Sequence, residues 1–92
     1  MTGNLRSTMI LTTKQIADLL SKATVFELYA EHNQVYHGTL GSERISDMTN
    51  DLYVTLYGTE YRIASGSATY KADVYANNVM SVNLNNSELI IA

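Results

Sequence analysis

Residues 52–91, LYVTLYGTEYRIASGSATYKADVYANNVMSVNLNNSELII, decide the fold, because four turn signals within them can be tested against a single apolar face. Side chains alternate between the two faces of a strand, so a slip of one residue inverts a strand completely. Gly58-Thr59, read as a two-residue turn with glycine first, has the type II′ preference. It sets Leu56 opposite Tyr61, Val54 opposite Ile63 and Leu52 opposite Ser65. A second turn at Gly66-Ser67 sets Ile63 opposite Tyr70 and Tyr61 opposite Ala72. At Tyr75–Val79 a two-residue Asn-Asn turn would oppose Val74 to Ser81, whereas a three-residue loop, Ala76-Asn77-Asn78, opposes Val74 to Met80, Ala72 to Val82 and Tyr70 to Leu84. Asn78 then takes the left-handed position that asparagine tolerates. Asn85-Asn86, a type I′ signal, pairs Val82 with Leu89 and Met80 with Ile91. The four turns agree on one face, which predicts a five-stranded antiparallel meander. Its buried side comprises Leu52, Val54, Leu56, Tyr61, Ile63, Tyr70, Ala72, Val74, Met80, Val82, Leu84, Leu89 and Ile91. At about 1.5–3 kcal/mol for each large apolar side chain fully buried, this face dominates stability.

Upstream the period differs. Ile16, Leu19, Leu20 and Ala23 fall on one side of a helix predicted over 13–22 with Thr12 or Thr13 as N-cap, and Lys14, Asp18, Ser21 and Lys22 lie away from that side. From Thr24 the aromatic and β-branched residues favour strands. A turn at His32-Asn33 would oppose Ala30 to Val35, Leu28 to His37 and Phe26 to Thr39, with Tyr29 beside Tyr36. The competing reading is a helix over 24–31, completing a helix-turn-helix DNA-binding regulator. Such a recognition helix would offer DNA only Glu27 and Glu31, and base readout relies on Arg, Lys, Asn and Gln. In 42–51, Ile45, Met48 and Leu52 are spaced as in a short helix capped by Ser42, which would align Glu43, Asp47 and Asp51. Residues 1–8 are polar and read as frayed. The expected fold is a single α+β domain over 1–92. A short N-terminal helix packs on an antiparallel, strongly curved or barrel-like sheet made of an N-terminal hairpin and the meander.

Ninety-two residues, 46% apolar, suffice for one core. The net charge of −3 is uneven. Arg6, Lys14 and Lys22 against Asp18 leave residues 1–23 at +2, and Glu27, Glu31, Glu43, Asp47 and Asp51 against Arg44 leave 24–51 at −4. No cluster of Lys and Arg is present to follow a phosphate backbone. No apolar run reaches bilayer length and no signal-peptide pattern opens the chain, so the expected location is cytoplasmic. With no cysteine, disulfide, thiol and cysteine-zinc chemistry are excluded.

His32 and His37 are five apart, an odd spacing that sends strand side chains to opposite faces. The stretch DMTNDLYVTLYG from Asp47 lacks the sixth-position glycine and final glutamate of an EF-hand. No glycine-rich phosphate loop or nucleophile elbow occurs, and SGS at 65–67 reads as turn chemistry. Neither a cofactor nor a catalytic residue is expected, and the chain reads as non-enzymatic.

Seven tyrosines against one phenylalanine and no tryptophan are the more informative feature. Tyr53, Tyr57 and Tyr75 are expected on the outer face beside Arg62, where tyrosine gives large contact area with a polar tip. The expectation is a protein-binding surface made of these residues, of the acidic Glu43, Asp47 and Asp51, or of both. Stacked single-stranded nucleic acid fits the negative charge poorly. The last strand carries Ile90 and Ala92 outward beside Val79, without proline or lysine, and reads as an edge for self-association. Small acidic chains without catalytic motifs resemble phage or mobile-element accessory proteins that inhibit a host defence protein. A homo-oligomeric virion subunit is the structural alternative.

Overall fold

The computed structural model describes residues 4–92. Along the chain run β1 (Leu5–Thr12), α1 (Thr13–Lys22), β2 (Phe26–Tyr29), a 3-10 turn (Glu31–Asn33), β3 (Val35–His37), β4 (Arg44–Ile45), β5 (Leu52–Leu56), β6 (Thr59–Ala64), β7 (Thr69–Tyr75), β8 (Met80–Asn83) and β9 (Glu88–Ile91). The fold is α+β with antiparallel pairing in two sheets, β1-β7-β8-β9-β2-β3 and β4-β5-β6. Neither closes into a barrel. The sheets are stitched at one seam, where Gly38 bridges Leu56 and Thr39 N–H donates to the Thr55 carbonyl.

The helix begins where the side-chain spacing places it. Thr12 caps it by accepting from Gln15 N–H, while the Gln15 side chain accepts from Thr12 N–H, a reciprocal capping box. Ile16 and Leu20 are fully buried. They enter a single core built from both sheets, with Phe26, Leu52, Val54, Val82 and Leu89 among its best buried members. A helix this short is held by that packing more than by its own propensity.

In the C-terminal sheet the loop over 76–78 and the turn at 85–86 give the expected pairings, although neither Asn85 nor Asn86 has the positive φ of the expected type I′ turn. Val74 faces Met80, Ala72 faces Val82, Val82 faces Leu89 and Met80 faces Ile91, with Asn78 left-handed at φ 66°. The five-stranded meander itself is corrected. The turn at 65–68 exists, with Ala68 N–H donating to the Ser65 carbonyl, but β6 and β7 then part into different sheets. The reason is occupancy. Residues 5–12, whose first part was read as frayed, form β1 and take the edge of β7, with Leu11 opposite Tyr70 and Met9 opposite Ala72. Residues 1–3 lie outside the described residues.

Three further expectations change. The hairpin β5–β6 turns at Tyr57-Gly58, both at positive φ, instead of Gly58-Thr59. Leu56 therefore faces Thr59 and Val54 faces Tyr61, a shift of two that keeps the face of β5, and Ile63 is extra where Leu52 faces Ala64. Tyr61, expected inside, is exposed, and Ile63 is half-buried. In β2–β3 the His32-Asn33 turn is left-handed as its sequence allows, but Ala30 N–H donates to Gln34. The strands slip by one, so Leu28 faces Tyr36 and Tyr29 faces Val35. Residues 26–29 are strand, so no recognition helix follows α1. Finally, 42–51 is not helical: β4 pairs with β5, and Asn50 turns left-handed with its N–H on the Ser46 carbonyl.

Candidate functional site between the sheets

The corrected register opens a cleft of about 400 Å³ between the two sheets. Leu56 and Ala64 from the small sheet and Tyr70 from the large one are its buried members. Leu28, Tyr36 and Ile63 are half-buried around them, and Tyr61 stands at the mouth, 47% exposed. Arg62, Ser65 and the Asn85-Asn86-Ser87 turn supply its polar margin. Tyr36 O–H donates to the Gln34 side chain at 2.8 Å and Tyr70 O accepts from Ser65 N–H at 2.8 Å. The Tyr61 hydroxyl and the Asn85 and Asn86 amides have no side-chain partner among the described residues. Unspent donors and acceptors beside an apolar hollow are what a binding cleft needs.

The connection at 65–68 holds this cleft open. Thr13, itself buried, donates its hydroxyl to the Ser65 carbonyl at 2.8 Å. Gly66 N–H donates to Asp51 Oδ1 at 2.8 Å, and Arg62 reaches Asp51 Oδ2 at 3.3 Å. The Gly66 amide, with Thr49 and Arg62 assisting, holds the Asp51 carboxyl below its ordinary value. A Cβ at Gly66 would run into the carbonyls of Thr49 and Asn50, so glycine here permits close backbone approach. Gly38 does the same at the seam, where a Cβ would strike the Phe26 ring.

The residues expected to bind do not form one surface. Tyr53 and Arg62 face each other across β5–β6, but Arg44 lies 4.4 Å over the Tyr53 ring and grips Glu60 through two bonds at 2.8 and 3.0 Å. That guanidinium lowers the Glu60 carboxyl. The outer face of the small sheet is thus largely satisfied by its own ion pair and stack. Tyr57 sits at the hairpin tip, its ring edge-on to Tyr36 and His37 at 6.1 Å each. Tyr75 belongs to the other sheet, opposite Leu5.

The acidic stripe dissolves in the same way. Asp51 is buried under Gly66, Glu43 is half-buried and Asp47 exposed, because the segment is turns and a short strand instead of a helix. Nor is the last strand an edge. β9 lies between β8 and β2, with Ile90 opposite both Ser81 and Glu27. Ala92 exchanges backbone bonds with Val25, and Val79 accepts from Tyr75 N–H. β2 covers the side that the sequence left open. Sequence reasoning missed Tyr36, Tyr61, Asn85 and Asn86 as one site, since six separated segments build it. The free amides of the 85–86 turn were the available clue.

Elsewhere on the large sheet, Glu27 lies 3.2 Å from His37 Nδ1, Thr8 O–H donates to Asp73 and Ser81 O–H donates to Glu88. Among the described residues no group of three or more His, Asp or Glu is placed to hold a metal ion, and no helix is long and apolar enough to cross a membrane. Compared with protein-family models, curated proteins and solved structures, the chain matches none.

Proposed function

We propose that the protein is a small non-catalytic binding module that grips a segment of another protein in the cleft between its two sheets. The observation that supports this is the composition of the cleft: an apolar floor of Leu56, Ala64 and Ile63, tyrosine walls at positions 36, 61 and 70, and unpartnered asparagine amides at the margin. An apolar or aromatic side chain of the partner fills the hollow, and the Asn85 and Asn86 amides, each with two donors and an acceptor, match the partner's peptide groups. Tyr61 gives contact area at little entropic cost. The unassisted outer tyrosines Tyr53 and Tyr75 are less suited, because one already carries Arg44 and the other lies on a different sheet.

Photo-crosslinking tests this directly. A benzophenone side chain placed at position 61 is expected to give a discrete adduct with one protein of the native lysate, competed away by unmodified chain and reduced by N85A/N86A. The same group at Met48, which is 93% exposed on a turn, is expected to give none. Equal labelling from both positions, or no discrete adduct from position 61, contradicts the reading.

A further inference from the structure

β1 stands first in the strand order of the large sheet, paired with β7 on one side only. Natural edges are blunted by charge, proline or bulges. Here the register irregularity is confined to the start, between Leu5 and Ser7, and Arg6 is the only charged residue of the strand. Leu5, Met9 and Ile10 are 56%, 40% and 62% exposed. Beside this edge a second groove of about 480 Å³ runs between β1 and α1, with Met9, Leu11, Leu19 and Met80 as its apolar lining.

The chemistry of edge and groove is self-complementary. Lys14 and Asp18 border the groove one helical turn apart. Lys14 has no partner among the described residues, and Asp18 holds Lys22 in an exposed pair at 3.1 Å. In a two-fold pair any approach of one Lys14 to the other copy's Asp18 is made twice, the reciprocity of an isologous contact. The strand agrees. When two β1 strands pair antiparallel about an axis perpendicular to the sheet, faces match only if opposed residue numbers add to an even sum. Centring on Met9 opposes Met9 to Met9, Thr8 to Ile10 and Ser7 to Leu11, and it keeps the two Arg6 side chains well apart.

We propose that β1 pairs with β1 of a second copy of this chain about a two-fold axis at Met9, joining two six-stranded sheets into one. This surface is separate from the cleft and does not depend on what the cleft binds. Sedimentation velocity over a micromolar concentration series is expected to show a monomer–dimer equilibrium. M9D, which opposes two carboxylates on the axis, is expected to weaken it at least about tenfold while leaving the circular dichroism spectrum unchanged. The chain has no cysteine, so M9C offers an independent reading should M9D unfold. Opposed Cα atoms of an antiparallel pair are about 4.5–5.5 Å apart, within disulfide reach. Under a mild oxidant M9C should crosslink to a dimer, and M48C should not. A strict monomer across the series overturns the proposal. So does a dimer that folded M9D retains or that M9C cannot trap, the first two outcomes leaving β1 to a foreign strand or to none.

Discussion

Two glycine-containing connections flank β6, and they do opposite things. At Tyr57-Gly58 both residues have positive φ, and a Cβ on Gly58 would meet nothing within 4 Å. Glycine there supplies a backbone conformation, and the chain doubles back within one sheet. At Ser65–Ala68 the glycine is needed for space, because Gly66 lies against the backbone of residues 49–50 and donates to the buried Asp51. That contact anchors the chain as it leaves one sheet for the other. A hairpin glycine and a crossing glycine look alike in sequence; what separates them is whether another strand already occupies the edge ahead.

Substitutions can break this contrast. G66A carries the largest expected effect, about 3 kcal/mol or more, since the neighbours are backbone carbonyls that cannot rotate away. Urea denaturation should show the loss. G38A should cost somewhat less, about 2 kcal/mol, because its methyl meets the Phe26 ring, a side chain with some room to adjust. G58A should cost only about 1 kcal/mol, the penalty of a left-handed L-residue in open space. If G58A proves more damaging than G66A, the assignment of conformation to one glycine and close approach to the other is reversed. T13V removes the buried hydroxyl that ties α1 to Ser65 and should cost about 1 kcal/mol.

The subtlest expected change is in pH dependence. The Asp51 carboxyl is held below its ordinary value chiefly by Gly66 N–H. Its contribution to stability is fully present above the unfolded carboxylate pKa and is lost as pH falls through the lowered folded value. D51N keeps an acceptor for Gly66 and cannot titrate, so its stability should fall less steeply in acid than that of the native chain. Parallel acid limbs for the two proteins would show that Asp51 does not anchor the crossing.

The same contrast explains what was legible. In β7–β9 the turn residues and alternation reinforce each other locally, and the register follows from them: Asn78 is left-handed and Val82 faces Leu89. The helix was legible for similar reasons, through Thr12 and the spacing of Ile16 and Leu20. β1 was not, because only Leu11 along it is buried, which leaves no alternating pattern to read. Missing β1 made the β6–β7 hairpin look available. The Gly58-Thr59 turn signal set Tyr61 inside opposite Leu56, whereas it lies opposite Val54, and the cleft, built from segments distant in sequence, has no local signature beyond its turn asparagines. Asp51 shows the same limit: helical spacing grouped it with Glu43 and Asp47, whereas its hydrogen bond to Gly66, fifteen residues on, decides its place.

The account stands on the parting of β6 from β7, and interstrand nuclear Overhauser effects on the labelled protein measure it most directly. Backbone contacts across Leu11 and Tyr70 and across Leu28 and Leu89 are expected, with none between the backbones of Ile63 and Tyr70, whose side chains share only the cleft. A cross-strand contact between Ile63 and Tyr70, with Leu11 and Tyr70 silent, would restore the continuous meander and remove the cleft.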